Sequence, residues 1–173
     1  MRNIGNDISE VVKAIKDQLS RFNYSSDEIR VSEAIISQFD TVSLKTGASE
    51  YERVTHFMDL RNHARKLTKD NSILMKGIAR QIYLQREKDQ NRESLPRKRN
   101  AYIIKTLKHP EEVEFMRDTY RDAFYLIGVT SSYERRVNYL VSRKGLLEEY
   151  ARELLERDAN EDIKQGQHTQ DAF

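Results

Sequence analysis

Three groups of residues have types and spacings that could do chemistry. His109-Pro110-Glu111 matches H-x-E, the half-motif in which a zinc-bound histidine stands beside a proton-shuttling glutamate. That chemistry needs a P-C-x-x-C partner, whose thiolates complete the site that activates water, and the chain has no cysteine. The same residues read well as a helix start. Proline suits the first helical position because its missing N–H would have no partner there, and Glu111, Glu112 and Glu114 suit the positive end of the helix dipole.

The second group is Gly5-Asn6-Asp7, a glycine ahead of a helix, where backbone N–H groups and the dipole can hold a phosphate. Against G-x-x-x-x-G-K-[ST] it is degenerate. Asn6 takes the place of the lysine, Asp7 that of the magnesium-holding serine or threonine, and the first glycine would precede Met1. Asp7 reads as a helix cap. The third group is cationic. Arg61, Arg65, Lys108, Arg135 and Arg136 would form a phosphate-facing set if the carboxyl ends of a parallel sheet shared one crevice, and arginine suits such clamps because its planar fork donates in pairs. Arg97-Lys98-Arg99 is the densest positive charge in the chain and would suit RNA.

The elements that must position these groups follow from periodicity. Ile8, Val11, Val12, Ile15 and Leu19 predict an amphipathic helix over 8–20. A turn cluster at Ser25, Ser26 and Asp27 leads into a short strand at Ile29–Val31. Residues 50–87 predict two helices broken near "TKDN", and residues 86–100, with Pro96, an exposed loop. "AYIIKTL" and "AFYLIGV" are near-continuously apolar, as strands covered on both faces are, and the charged segment between them predicts a crossover helix. A βαβ unit over 101–129 is therefore expected. Helices follow at "RVNYLVSRK" and, after Gly145, "LLEEYARELLERD", and the last fifteen or so residues lose periodicity. Tyr102, Phe124 and Tyr125 in the strands, and Tyr120 and Tyr150 on apolar helix faces, read as core rather than as base-stacking platforms.

At 173 residues one domain with a substantial core is expected. No run of about 18 apolar residues and no charged-then-apolar leader is present, which predicts a cytoplasmic chain with no membrane partner. The net charge is +2, but its distribution is uneven: residues 1–75 carry 11 basic and 11 acidic side chains, 76–108 carry 10 and 3, and 109–173 carry 9 and 14. The middle of the chain is where an anionic partner would be met.

"YIIKTLKHPEEVEFMRDTYRDAFYLIGVTSSYERRVNYL" resembles the P-loop kinase-like amino-terminal part of the anti-phage dCTP deaminases, in its "LKHPEEVEFMR", "FYLIGV" and "SYERR" blocks. "MDLRNHAR" is similar to that family's Gly-Asn-x-x-Arg segment, keeping Asn62 and Arg65 with Arg61 where glycine would stand, and "EDIKQGQHTQDAF" looks like the run that leads into its deaminase domain. The resemblance implies an α/β, three-layer P-loop kinase-like domain over 1–157, with a mostly parallel sheet flanked by helices and its first strand missing. Residues 158–173 would be a linker. It implies a non-catalytic, nucleotide-sensing regulatory domain, with Gly5, Asn6, Asn62, Arg65, Lys108, Arg135 and Arg136 meeting the nucleotide. No cofactor is expected in this chain, zinc belonging to the deaminase domain. The alternatives are a nucleoside monophosphate kinase-like phosphotransferase and a module that binds a regulatory RNA through Arg97, Lys98 and Arg99. A homo-oligomer would cover the apolar surface that an absent central strand leaves.

Overall fold

The computed structural model describes residues 4–31, 47–89, 99–105 and 107–164, and these are mostly helical around a two-stranded parallel sheet. Helix α1 (Ser9–Arg21) leads to β1 (Ser25–Ile29). After α2 (Glu50–Thr68) and α3 (Ile73–Asp89), β2 (Asn100–Ile104) returns to pair with β1 in register Ser25↔Asn100 to Ile29↔Ile104. Helices α4 (Pro110–Tyr120), α5 (Tyr133–Lys144) and α6 (Glu148–Lys164) complete the chain.

Local chemistry sets the helix ends. Ser49 caps α2 in a reciprocal box: its Oγ accepts from the Glu52 N–H at 3.2 Å while its own N–H donates to the Glu52 carboxylate at 2.7 Å. The expected break near "TKDN" is there, with Lys69 left-handed at φ 54° and the Asp70 carboxylate accepting from the Ser72 N–H at 2.9 Å as α3 begins. Gly145 closes α5 at φ +70°, where the Leu146 N–H reaches back to the Leu140 carbonyl at 3.1 Å.

Two apolar clusters meet at α2. Leu60 and Ala64 join Leu74, Met75, Ile78 and Ile82 of α3, Ile29 of β1, and Val113 and Met116 of α4. On another side of α2, Met58 packs with Val137 and Leu140 of α5 and with Ala151, Leu154 and Leu155 of α6. Ring contact between Tyr51 and Tyr150, centroids 4.7 Å apart, and the Tyr51 hydroxyl donating to Glu153 at 2.7 Å fasten the same pair of helices.

Three expectations are corrected. The first strand lies at Ser25–Ile29 rather than Ile29–Val31, because the polar cluster joins the ladder: Asn100 Nδ2 donates to the Asp27 carboxylate at 3.1 Å, and Ser25 N–H to the Arg99 carbonyl at 2.9 Å. "AFYLIGV" forms no strand. A 3-10 turn at Arg121–Ala123 opens it, residues 124–128 carry no ladder, and a single bridge stands at Val129, so the βαβ unit stops at its β–α half. Its apolar pattern suits a buried strand, but among the described residues no ladder runs along it. Periodicity also continues further than expected, since α6 runs unbroken to Lys164, across the 157/158 boundary.

Candidate functional site

His109 does what its neighbours require. It is the N-cap of α4, its Nδ1 accepting from the Glu111 N–H at 3.2 Å, and Pro110 follows at the helix start. Glu112, at the third helical position, turns back to close the box. Its carboxylate accepts from the N–H of His109 at 3.1 Å and of Lys108 at 2.8 Å, and from Arg65 Nη2 of α2 at 2.6 Å. Glu112 is 1% exposed and Arg65 6%.

One residue away in the chain, the Lys108 ammonium turns the other way, to Asp158 of α6. Asp158, also 1% exposed, accepts from the Ile4 N–H at 2.8 Å and from Arg136 Nη2 of α5 at 3.3 Å. Arg136 Nε donates to the Ile4 carbonyl at 2.7 Å. Asn6, buried, donates to the Val129 carbonyl at 3.0 Å and accepts from Ser131 Oγ. Gly5 sits at φ +81° against the backbone of Arg136, and a Cβ there would stand 2.9 Å from the Arg136 carbonyl oxygen. Charge drawn out of water is tolerated only when paired and hydrogen-bonded, and both carboxylates are satisfied threefold.

The structure thus brings together Gly5, Asn6, Lys108 and Arg136, and places Arg65 one carboxylate away. It does so as an internal latch across α2, α4, α5, α6 and the amino-terminal loop rather than as an open cradle. Asn62 is half-buried on α2 and Arg135 is exposed on α5, both outside this network. Arg97 and Lys98 lie outside the described residues. Arg99, at φ 54°, donates from Nη1 to the Phe22 carbonyl at 3.0 Å and holds the turn ahead of β1. Among the described residues no cluster of three or more His, Asp or Glu could hold a metal ion.

Sequence reasoning missed the two carboxylates. Asp158 carried a signal: with Ala151, Leu154 and Leu155 it completes an i, i+3, i+4, i+7 stripe, and an acid on an apolar stripe calls for a buried cation.

Of the cationic set that a shared crevice would have gathered, only Arg61 and Lys108 line the cleft at the carboxyl ends of the strands. A cleft of about 730 Å³ opens where β1 and β2 end, lined by Ile29, Arg30 and Val31, by Lys105 and Lys108, and by Gly5, Asp7 and the start of α1. Eight lysines and arginines face four carboxylates in it. Glu28 sits between Lys105 and Lys16, whose hydrogen bonds and charges hold its carboxyl down at about 2. Glu50 is lowered by the Arg53 guanidinium, which donates to it at 2.6 and 2.7 Å. Glu28 and Glu50 are engaged by Lys16, Lys105 and Arg53, and Lys108 by Asp158 from outside the lining; Lys13 and Lys144 line the cleft as well. Asp7 is not the cap expected: the N-cap of α1 is Ile8, which makes no side-chain cap bond, and Asp7, one residue earlier, accepts from the Ser9 N–H at 3.0 Å. No family model, no curated protein and no solved structure matches the chain.

Proposed function

We propose that this chain is a non-catalytic module that senses an anionic nucleotide in the cleft at the carboxyl ends of its parallel strands. The observation that carries the reading is the surplus of cationic over acidic side chains there, seven against four once Lys108 is set against its buried partner Asp158, in the place where ligands sit in open α/β sheets. The Asp7 carboxylate, which takes the Ser9 N–H at the start of α1, and the buried, engaged Asn6 argue against phosphoryl transfer, since neither offers a phosphate what a lysine and free N–H groups would. The resemblance to the regulatory part of the dCTP deaminases favours deoxycytidine nucleotides as the ligand and an α/β, kinase-like frame as the scaffold.

The test is calorimetric titration with dCTP, dCMP and ATP at about 50 mM and 200 mM salt, since release of counterions makes phosphate binding salt-dependent. Saturable binding that weakens with salt, and at least about tenfold in the Lys13→Glu, Lys144→Glu double variant, is expected; no binding of any nucleotide at low salt overturns the reading. Transfer of phosphate from ATP to a nucleoside monophosphate would replace it with the phosphotransferase.

A further inference from the structure

The stripe that buries α3 runs Leu74, Ile78, Ile82, each about one turn on from the last, and the next position is the half-buried Arg86. A cation on such a stripe is drawn out of water and calls for a counter-charge, as Arg65 on α2 finds in Glu112. Among the described residues Arg86 meets no carboxylate; its guanidinium carbon stands 5.6 Å from the centroid of the Tyr102 ring of β2 and 6.0 Å from that of Tyr120 at the end of α4. Its Nε is buried without a hydrogen-bond partner, and so is the Tyr102 hydroxyl. Aromatic faces stabilise the charge, but they leave the N–H and the O–H unanswered, and each such group is costly to bury.

All three side chains line a groove of about 680 Å³ whose other walls are mostly apolar, among them Ile15 and Leu19 of α1, Ile103 of β2 and Met116 of α4. No carboxylate is among the described residues that line it, and its other cation, Lys105, is already held by Glu28. The groove follows β2 from Asn100 to Lys105, a span of about 16 Å at about 3.3 Å per residue. Burial pushes the Tyr120 phenol up, which keeps it an O–H beside Arg86.

From the two orphaned donors and the apolar walls we infer that this groove binds an aliphatic carboxylate, its anion at Arg86 and Tyr102 and its hydrocarbon chain along β2. Ligand sites of this size are mostly apolar with a few placed polar groups, and here those groups select one anion. A neutral hydrocarbon would leave both donors unpaired, and a nucleotide would press phosphates and a sugar against apolar walls. Arg86 and Tyr102 take no part in the charged cleft, so the two sites stand or fall separately.

Titration calorimetry of the full chain with decanoate and with 1-decanol tests it. Decanoate should bind saturably at one site, and 1-decanol, which keeps the chain but not the charge, at least about tenfold more weakly. Arg86→Met, which keeps an apolar stem, should weaken decanoate at least about tenfold and leave 1-decanol unchanged. Tyr102→Phe removes one oxygen and keeps the ring, so it should weaken decanoate about fivefold without lowering Tm, and it carries the test should Arg86→Met lose structure. The cleft variant Lys13→Glu, Lys144→Glu should bind decanoate as the wild type does. No saturable binding of decanoate, equal affinities for the acid and the alcohol, wild-type affinity in Arg86→Met or Tyr102→Phe, or loss of binding in the cleft variant would each overturn the inference.

Discussion

Asp158→Ala is the sharpest test of the buried latch. The carboxylate is 1% exposed and accepts from the Lys108 ammonium, the Arg136 guanidinium at 3.3 Å and the Ile4 N–H at 2.8 Å. Its removal leaves Lys108, 7% exposed, as a buried cation with no counter-charge from α6. Breaking a buried pair from one side costs about 3 to 5 kcal/mol, because the surviving charge stays desolvated. At about 2 to 4 °C per kcal/mol for a chain of this length, Tm should fall by about 6 to 20 °C. Urea denaturation should show the midpoint moving with the slope unchanged.

The companion variant separates pairing from position. Asp158→Leu combined with Lys108→Met removes both charges and keeps apolar volume, so it should recover most of the loss. A single-variant loss below about 1 kcal/mol, or a double variant no better than the single, would refute the assignment. Recovery of Asp158→Ala in phosphate, with no gain for the wild type, would instead return Lys108 and Arg136 to the role of anion ligands.

Two other outcomes follow from single positions. Gly5→Ala should destabilise more than Gly145→Ala by urea midpoint: both have positive φ, worth about 1 to 2 kcal/mol, but only at Gly5 does a Cβ stand 2.9 Å from the Arg136 carbonyl oxygen, while at Gly145 nothing lies within 4 Å. Glu28, held at about 2 instead of 4.5, contributes stability that is complete above pH of about 4.5 and lost as pH falls towards 2. The full shift would be worth about 3 kcal/mol, and screening at partly exposed Lys16 and Lys105 reduces it to about 1 kcal/mol. Glu28→Gln should therefore flatten the acid limb of a pH titration of Tm by a few degrees, and an unchanged limb would count against the bridge.

Periodicity in the sequence was enough to locate α1, α2, α3, α5 and the start of α4. Helical spacing is a local property, and caps such as Ser49 and the His109-Pro110 pair mark the ends from within a few residues. "AFYLIGV" was misread because an apolar run reports that burial is favoured but not whether a partner strand is at hand. The polar strand Ser25–Ile29 was placed late for the converse reason: its ladder is supported by Asn100, about seventy residues away, which no local pattern reveals. The phosphate-facing set was legible as a set of neighbours but not as a site. Residue types suggested Arg61, Arg65, Lys108, Arg135 and Arg136 as a set, and the carboxylates that neutralise three of them, Glu112 of α4 for Arg65 and Asp158 of α6 for Lys108 and Arg136, each looked like an ordinary helix charge.

That neutralisation constrains how any anion can be read by this fold. The loop at Ile4–Asn6 is fixed without a ligand: Asp158 holds the Ile4 N–H, Arg136 the Ile4 carbonyl, and Asn6 is tied to Val129 and Ser131. A phosphate wrapped by this loop would have to displace a buried carboxylate from Lys108 and Arg136, exchanging one charge-assisted pair for another while opening the contact between α5 and α6. The gain would be small and the disruption large. On the nucleotide reading, recognition would be cheaper at Lys13 and Lys144, which line the cleft and take no part in the latch. The loop would then set the shape of the site and these lysines its charge, so reversing Lys13 and Lys144 should weaken binding at least about tenfold at constant stability while Asp158→Ala should cost stability first.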